Sequence, residues 1–367
     1  MAHQLYELQQ MQMLPLQSKI NMTVSRIQEW YSYWTSKGEG VYYSWSGGKD
    51  STVLRHIIKT ELPYLDIKGV FVDTGLEYPE LKEFVKQDPD VIILRPEKPF
   101  WQVVRDYGYP VISKEVSECI CNARKHLNGG GGTTNITENY VDLASMPQRV
   151  QKVLGILKKR SSPDRSAFNL EKWKPLLNVP FKISSRCCSI MKKNPLHKFN
   201  RENKMHPMTA EMAEESRLRK QQWLKNGCNG FDMKEPKSTP MSFWTEQDVL
   251  QYIKEYNVEI PSIYGSVIED VGITDGFEQL AMCETGCKLK TTGCSRSGCM
   301  FCLFSAHHDK GKSRFERMKE THPRLYDYCI NGGEFVDGNW QPNQKGLGLG
   351  FVMDSINKLY GKNLLRY

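Results

Sequence analysis

The sequence lacks any apolar segment long enough to cross a membrane. Apolar runs such as Val91-Ile92-Ile93-Leu94 have the length of a strand, whereas a membrane-spanning helix needs roughly 18 to 20 apolar residues. The first 30 residues also contain no unbroken apolar stretch of the kind found in secretory signals. We therefore expect a cytoplasmic protein without a membrane partner. Internal repeats are absent as well, which leaves a globular chain.

The chain has only a moderate excess of positive charge. The 367 residues include 50 Lys and Arg against 42 Asp and Glu, which gives a net charge of +8. This excess suits a polyanionic partner such as a nucleotide or a nucleic acid, although enzymes that bind nothing larger than ATP often carry a similar charge. The length allows two modest domains or one large one.

The cysteines are numerous and unevenly spaced. Five of the 11 lie between Cys283 and Cys302, and Cys187 and Cys188 are adjacent. In a reducing compartment, a dense cysteine cluster indicates metal or redox chemistry rather than disulfides.

Strand-like and helix-like segments alternate along the first part of the chain. The sequence predicts strands at residues 41–45, 67–72 and 91–94, and helices at residues 53–58, 80–85 and 101–107. Strands that are separated by helix-length segments form right-handed crossovers. We therefore predict an α/β fold with a mostly parallel sheet flanked by helices, followed by a mostly helical, cysteine-rich C-terminal part. In such sheets the ligand lies beyond the carboxyl ends of the strands.

Changes in composition divide the chain into regions. We predict an N-terminal helical extension at residues 1–38, a nucleotide-binding α/β domain at 39–260 with a Gly-rich loop insertion near 126–165, a cysteine-rich cluster-binding region at 261–331 and a C-terminal tail at 332–367. A Gly-rich turn at 129–134 and a basic stretch at 149–165 belong to the insertion. A long helix is predicted at 209–226, and Thr245 with Asp248 predicts the capping box of another helix.

Residues 46–51 read Ser-Gly-Gly-Lys-Asp-Ser and lie between a predicted strand and a predicted helix. The glycines allow a tight turn whose N–H groups point at an anion, and the following helix adds the positive end of its dipole. Lys49 can add a mobile positive charge, and Asp50 can bind magnesium or cap the helix. We interpret this segment, called the phosphate loop below, as a nucleotide site with Lys49 and Asp50 as catalytic residues. The alternative is a plain strand–turn–helix connection.

The phosphate loop resembles the pyrophosphate loop of the ATP pyrophosphatase (PP-loop) superfamily. More narrowly, the sequence is similar to phosphoadenosine-phosphosulfate reductases and their sulfur-transfer relatives. The similarity continues in order over roughly residues 40–305, through the motifs Val72-Asp73-Thr74-Gly75, Gly108-Tyr109-Pro110, Arg186-Cys187-Cys188, Glu214-Glu215-Ser216-Arg217 and the segment from Ser242 to Val249.

The resemblance implies an adenine nucleotide alpha hydrolase-like fold that binds an adenine nucleotide, either ATP or an adenylyl-sulfate-type nucleotide, together with magnesium. The nucleotide phosphates would contact the phosphate loop. Asp73 would line the nucleoside, by accepting a hydrogen bond from ribose or by holding magnesium, unless it is a simple turn residue. The expected nucleotide-binding residues are Ser44, Ser46, Gly47, Gly48, Lys49, Asp50, Ser51, Asp73, Thr74 and Gly75.

Cys294, Cys299 and Cys302 are spaced closely enough for three thiolates to converge on one centre. The resembled adenylyl-sulfate reductases bind a [4Fe–4S] cluster through a Cys-Cys pair and a distant Cys-x-x-Cys. The first predicted ligand set is Cys188, Cys294, Cys299 and Cys302, and the second set has Cys187 in place of Cys294. The alternative is a zinc site that combines the three clustered cysteines with His307 or His308.

The remaining cysteines are interpreted as structural. Cys119 and Cys121 are assigned to the core, and Cys283 and Cys287 are not assigned as metal ligands. Cys228 is expected to end a helix, although it could also carry sulfur.

The sequence departs from the resembled reductases at two points. Those enzymes carry a nucleophilic cysteine in a short C-terminal tail, whereas no cysteine follows Cys329 here. They also carry an arginine that helps to bind the anionic nucleotide, and Met212 takes that position here. A thioether cannot make the bidentate contacts of a guanidinium group, although Arg217 or Arg219 could compensate.

Three functions are compatible with these features. The first is ATP-dependent sulfur transfer, in which ATP adenylates an acceptor oxygen that sulfur then replaces. The acceptor could be tRNA or the DNA backbone, and a sulfur or electron donor protein would be a partner. The second is reduction of adenylyl sulfate or phosphoadenylyl sulfate to release sulfite. The third is a non-catalytic nucleotide-binding component of a defence or mobile-element complex, which the intact phosphate loop disfavours.

Overall fold

The computed structural model describes residues 3–127, 146–270, 273–274, 277–278 and 288–367. The predicted turn at 129–134 and the cysteines Cys283 and Cys287 lie outside these residues. Over the described ranges, no helix combines the length and the apolar character that crossing a membrane requires.

The described residues form helices and strands that alternate through much of the chain. The helices are α1 (Leu5–Gln12), α2 (Leu16–Thr35), α3 (Lys49–Glu61), α4 (Pro79–Lys86), α5 (Phe100–Tyr107), α6 (Lys114–Leu127), α7 (Gln148–Leu154), α8 (Asn194–Asn203), α9 (Arg217–Asn226), α10 (Glu246–Glu255), α11 (Arg314–Thr321), α12 (Pro323–Ile330) and α13 (Leu349–Tyr360). The strands are β1 (Gly40–Ser44), β2 (Lys68–Val72), β3 (Ile92–Leu94), β4 (Val111–Ile112), β5 (Met205–Met208), β6 (Asn229–Gly230), β7 (Lys237–Ser238), β8 (Val267–Glu269), β9 (Ile273–Thr274), β10 (Phe277–Glu278), β11 (Leu289–Thr291), β12 (Leu303–Phe304), β13 (Glu334–Val336) and β14 (Asn339–Gln341). Short 3-10 helices lie at Glu171–Asn178, Ala213–Glu215, Ser262–Tyr264 and Ala306–His308, and a π-helix lies at Ser189–Lys193.

The main sheet has six strands in the order β3-β2-β1-β5-β7-β6. Its neighbouring strands are parallel except for β6 and β7. Smaller pairs join β4 to β12 in parallel, and join β8 to β11, β9 to β10 and β13 to β14 in antiparallel orientation. The predicted α/β fold with a mostly parallel sheet is confirmed, and the six predicted strands and helices of the first part are β1, β2, β3, α3, α4 and α5.

The chain divides into two compact units. The first consists of Met1–Asp73, Glu77–Arg95 and Pro195–Ser297, and the second consists of Thr74–Leu76, Pro96–Asn194 and Gly298–Tyr367. The main sheet belongs to the first unit. The domain boundaries taken from the sequence stay a prediction.

Helix α2 supplies one face of the core of the first unit. Ile20, Ile27, Trp30 and Trp34 recur at helical spacing and are at most 7% exposed, so one side of the helix is apolar. They join a buried cluster with residues of α3 and β1. The predicted helical character of residues 1–38 is therefore confirmed by α1 and α2.

The predicted helix at residues 209–226 is wrong over its first half. β5 ends at Met208, and the next residue continues beside β7, where the N–H of Thr209 donates to the carbonyl oxygen of Ser238 at 2.9 Å. Helix α9 begins only after Ser216, whose Oγ accepts a hydrogen bond from the N–H of Arg219. A serine that caps a helix in this way fixes its start.

In the second unit, Arg124 of α6 is buried among carbonyl groups. Its guanidinium group donates to the carbonyl oxygens of Leu176, Leu177, Val179 and Phe181. Carbonyl groups at the end of a helix lack partners within the helix, so Arg124 satisfies those at the end of the 3-10 helix Glu171–Asn178. Burial lowers the pKa of Arg124 to about 10, which leaves the group charged at neutral pH. Cys119 on the same helix is buried, in agreement with its assignment to the core.

Helix α10 begins with the predicted capping box. The Oγ1 of Thr245 accepts a hydrogen bond from the N–H of Asp248, and the Asp248 carboxylate accepts one from the N–H of Thr245. The same carboxylate accepts from the Nζ of Lys19, at 2.7 and 2.6 Å. Lys19 is only 2% exposed, so a buried ion pair ties α2 to α10.

Replacing Lys19 by Met should destabilise the protein by about 3 to 5 kcal/mol, because it leaves the Asp248 carboxylate buried without its cation. Lys254→Met is the matched control on α10. It removes an ion pair with Glu269 in which both side chains are about half exposed, and the loss of such an exposed pair changes stability far less than the loss of a buried one. Unfolding in urea measures both variants. Equal losses of stability would contradict the importance of the buried pair.

Candidate functional site

The phosphate loop joins β1 to the N-terminus of α3, as the sequence predicts. Gly47 has a φ of +74°, and a Cβ at this position would lie 3.1 Å from the carbonyl oxygen of Leu81, so a side chain would be strained. Ser51 closes the loop, because its Oγ accepts from the N–H of Ser46 and donates to the carbonyl oxygen of Gly48. The loop leads directly into the N-terminus of α3. The positive end of the helix dipole favours an anion at that position.

The ammonium group of Lys49 is buried among oxygen atoms. Nζ donates to the carbonyl oxygen of Ser295 at 3.0 Å. It also lies 3.1 Å from the carboxylate of Glu246 and 3.6 Å from Oδ1 of Asp50. A lysine that is 3% exposed can keep its charge only where such partners replace water.

Asp50 has a buried carboxylate oxygen that makes no hydrogen bond to any residue that the structure describes. This atom is Oδ1, the one that faces Lys49. Burial raises the pKa of Asp50, the charge of Lys49 opposes the rise, and the charge of Glu246 adds to it. The carboxylates of Asp50 and Glu246 both lie beside Nζ of Lys49, and carboxylate oxygens are ligands that magnesium prefers.

The segment from Cys294 to Ser297 lies against the phosphate loop. Besides the Ser295 carbonyl group, Ser297 contributes an Oγ that hydrogen-bonds to the hydroxyl of Tyr264, and both of these oxygens lie close to Gly48. The charge of Arg296 lowers the pKa of Asp50. Sequence reasoning missed five residues of this site, namely Glu246, Tyr264, Ser295, Arg296 and Ser297. The polar Ser-Arg-Ser run inside the cysteine cluster was a signal that could have indicated three of them.

Ser44 and Asp73 lie at the same edge of the sheet. Ser44 ends β1 and Asp73 follows β2, and these strands are parallel neighbours. The carboxylate of Asp73 is buried and lies 2.6 Å from Nζ of Lys82 on α4. The chain enters the second unit at Thr74, whose Oγ1 accepts from the N–H of Leu76. The nucleotide-binding role of Ser44, Asp73, Thr74 and Gly75 stays a prediction.

Four of the five predicted ligand cysteines belong to the second unit, and Cys294 belongs to the first. The sulfur atoms of Cys187 and Cys188 are 4.0 Å apart. Cys302 and Cys299 share a tight turn in which the N–H of Cys302 donates to the carbonyl oxygen of Cys299 at 3.1 Å. Within the part of the chain that the structure describes, no three Cys, His, Asp or Glu side chains are assembled as a metal site. The ligand set therefore stays a prediction.

The four thiols of the second unit influence one another electrostatically. Burial raises the pKa of Cys302 to about 11, and Cys299 and Cys188 add to the rise. The thiol of Cys187 donates to the sulfur of Cys188, which raises the pKa of Cys187 and lowers that of Cys188 to about 6. Thiols that interact in this way have the donor chemistry of an iron–sulfur site.

Cys294 and His307 make contacts that differ from those of the four thiols of the second unit. The thiol of Cys294 donates to the carbonyl oxygen of Arg296 at 2.6 Å. His307, a ligand in the zinc alternative, packs edge-to-face on Trp173, and its buried Nδ1 has no hydrogen-bond partner within the described ranges. Burial also lowers the pKa of His307.

Two residues bear on the reductase alternative. Met212, which stands where the resembled reductases carry arginine, is 3% exposed. Arg219, the suggested replacement, forms ion pairs with Glu211 and Glu215. Cys228 is buried, and burial raises its pKa.

Comparison with known proteins identifies the family. The family model of the phosphoadenosine phosphosulfate reductase domain matches residues 40–125 and 137–303. This is more than half of the chain, and the protein belongs to that family.

Individual relatives are distant. An uncharacterized protein of Methanocaldococcus jannaschii, MJ0973, is 29% identical over 104 residues, which cover 27% of this chain and 25% of that protein. The chain therefore spans about a quarter of the length of this relative. The crystal structure of phosphoadenylyl-sulfate (PAPS) reductase from Candida auris, in a phosphate complex, is 13% identical with a TM-score of 0.33, and the match covers 68% of this chain and 90% of that one.

Replacing Lys49 by Ala should weaken ATP binding by about 10- to 100-fold, because a hydrogen bond to a charged group contributes about 1.5 to 3 kcal/mol. Lys59→Ala is the matched control, since it removes a surface ammonium group near Asp90 at the other end of α3. Isothermal titration calorimetry with ATP and magnesium measures both variants. If Lys49→Ala binds ATP as tightly as the wild type, the phosphate loop is not the nucleotide site.

Proposed function

We propose that the protein is an ATP-dependent sulfur-transfer enzyme. The observation that carries this proposal is the ion pair between the Lys49 ammonium group and Oδ1 of Asp50 at the start of α3, where Oδ1 accepts no hydrogen bond from any residue that the structure describes. The ammonium group and the helix dipole suit the phosphates of ATP, and the carboxylates of Asp50 and Glu246 suit the magnesium ion that accompanies them. Membership of the phosphoadenosine phosphosulfate reductase domain family supports chemistry on sulfur.

In the proposed first step, an oxygen of the acceptor attacks the α-phosphorus of ATP. A bond forms between that oxygen and phosphorus, the bond to the β-phosphate oxygen breaks, and pyrophosphate leaves. Lys49 would neutralise the negative charge that grows on the leaving group. Asp50 would hold magnesium against the phosphates, so that the two like-charged groups do not repel each other.

In the proposed second step, sulfur replaces the adenylated oxygen. A persulfide on a donor protein would attack the atom that bears this oxygen, and AMP would leave with the oxygen. An external dithiol reductant would then reduce the resulting disulfide bond by two electrons, becoming a disulfide itself, and would leave sulfur on the acceptor and a thiol on the donor protein. The acceptor in this proposal is a nucleic acid, tRNA or DNA.

We propose Cys187, Cys188, Cys299 and Cys302 as the ligands of a [4Fe–4S] cluster. These four thiols belong to one unit and affect each other's pKa, and four thiolates are the usual ligands of such a cluster. When bound, the cluster would supply electron transfer or a binding position for sulfur. Cys294 is held by the carbonyl group of Arg296 in the other unit, which favours the second predicted ligand set over the first.

Reduction of a sulfonucleotide is the weaker candidate. That reaction needs an accessible thiolate as the nucleophile. The raised pKa and the burial of Cys228 oppose this role, and Met212 offers no positive charge to an anionic nucleotide.

A panel of nucleotides tests the proposed function. Protein purified without oxygen, supplied with ATP, magnesium and either tRNA or plasmid DNA, should release pyrophosphate, and Lys49→Ala should lose this activity. With adenylyl sulfate or phosphoadenylyl sulfate and thioredoxin, the same protein should release little sulfite. Multiple-turnover release of sulfite that Cys228→Ser abolishes would overturn the proposal in favour of the reductase.

Iron content tests the proposed cluster. The protein purified without oxygen should be brown and contain about four irons per chain. Cys299→Ala should lose the colour and the iron, whereas Cys294→Ala should keep both. A colourless chain with one zinc would contradict the cluster, and loss of iron in Cys294→Ala with retention in Cys187→Ala would select the first ligand set.

A further inference from the structure

The second unit contains a groove of about 1420 Å³ that the proposed chemistry does not use. It is formed by α7, by the chain reversal at residues 158–165 and by the start of the 3-10 helix Glu171–Asn178. The cations that line it are Lys152, Lys158, Lys159, Arg160 and Arg165. Glu171 is the one acid among its lining residues in the described part of the chain.

Positive charge is concentrated in this part of the chain. Residues 148–174 include eight Lys and Arg and two Asp and Glu, which gives a net charge of +6, against +8 for the whole chain. A cluster of this density is the electrostatic footprint of a polyanion-binding surface.

Four of the five groove cations are available to a ligand, whereas Lys152 is paired with Glu115. Lys159 pairs with Asp164 and Arg165 with Glu171, and all four side chains are more than half exposed, so these pairs contribute little and exchange easily. Neither Lys158 nor Arg160 forms an ion pair with any acid in the described ranges. An anion can therefore bind here without breaking a buried contact.

The chain reversal that carries these cations is an ordered hairpin. Lys158 and Arg165 face each other in an antiparallel bridge, and the N–H of Ser166 donates to the carbonyl oxygen of Leu157 at 2.8 Å. The amide side chain of Asn169 accepts from the N–H of Leu157 and donates to its carbonyl oxygen. The cations thus project from a backbone that is already hydrogen-bonded.

An aromatic side chain lies among the cations. Phe168 is 56% exposed, and Nζ of Lys152 lies 5.9 Å from the centre of its ring. Exposed aromatic rings beside basic residues are the surfaces on which the bases of single strands stack. A duplex keeps its base faces inside the helix, so the ring favours an unpaired strand.

We propose that this groove binds an unpaired nucleic-acid strand. The backbone phosphates would contact Lys158, Arg160 and Arg165, and a base would stack on Phe168. That the bound strand is also the sulfur acceptor rests on the proposed function, whereas the binding itself does not.

Fluorescence anisotropy tests the proposal. The probes are labelled single-stranded DNA and RNA of about 16 nucleotides and the corresponding duplexes. The double variant Lys158→Ala/Arg160→Ala should bind single strands at least about tenfold more weakly. The magnitude of the slope of log K against the logarithm of the salt concentration should fall by roughly 1.4, because each of the two lost phosphate contacts contributes about 0.7. Phe168→Ala should weaken binding roughly 5- to 100-fold with little change in that slope, and Phe168→Trp should restore it.

The matched control is Lys345→Ala/Lys362→Ala. It removes the same charge from exposed positions of the second unit that do not line the groove, so it should keep the wild-type affinity. An equal loss in the control would reveal unspecific attraction and overturn the proposal. Absence of strand binding, or tighter binding of the duplex than of the single strand, would overturn it as well. The DNA and RNA arms identify which strand is preferred.

The failure of this inference can be told apart from the failure of the proposed function. The groove variants should bind ATP like the wild type in calorimetry and should have the wild-type circular dichroism spectrum and melting temperature, which shows that they fold. Lys49→Ala should keep strand binding. Absence of strand binding by the wild-type protein, together with release of pyrophosphate, would overturn the groove alone. Intact strand binding without any pyrophosphate release would overturn the proposed function alone.

Discussion

The ammonium group of Lys49 holds together three segments of the first unit that are far apart in the chain. A charge with 3% exposure has lost most of its water, and desolvation of this kind is costly unless the charge is paired. The partners come from α3 itself, from Glu246 in the first turn of α10 and from the Ser295 carbonyl group beyond β11. The phosphate loop, α10 and the segment after β11 are therefore fixed on one another by one cation.

The same interaction accounts for features that look unrelated to binding. Glu246 can face Lys49 because its helix starts at a defined residue, and that start is set by the capping box of Thr245 and Asp248. Asp248 in turn is neutralised by Lys19 of α2. A continuous set of contacts thus leads from the N-terminal helical extension to the phosphate loop, which gives α2 a physical role in the first unit beyond covering the sheet.

Local patterns predicted the parts of this arrangement that depend on neighbours in sequence. The turn at Gly47 and the capping box of α10 belong to this class, and both were found. The predicted helix at 209–226 was wrong because the cap at Ser216 outweighs the helical spacing of the residues before it. The partners of Lys49 could not be predicted, since residues as distant as Glu246 and Ser295 are brought together by the sheet. Spacing also predicted that Cys294 and Cys299 serve one centre, and this ligand set stays a prediction.

Lys49 and the cations of the groove differ in the contacts that an incoming anion has to replace. Lys49 is already neutralised by two carboxylates, so a bare phosphate that approached it would meet their negative charge. Magnesium removes this conflict, because it can bind carboxylate and phosphate oxygens at once and leave Lys49 between opposite charges. In the proposed function, the site would therefore select a metal-bound nucleotide over a free phosphate. Lys158 and Arg160 are exposed and lack acidic partners among the described residues, so a polyanion needs only to displace mobile counterions there. The arrangement around Lys49 matches the proposed chemistry on one nucleotide, and the exposed groove matches the proposed binding of a long, repeating anion.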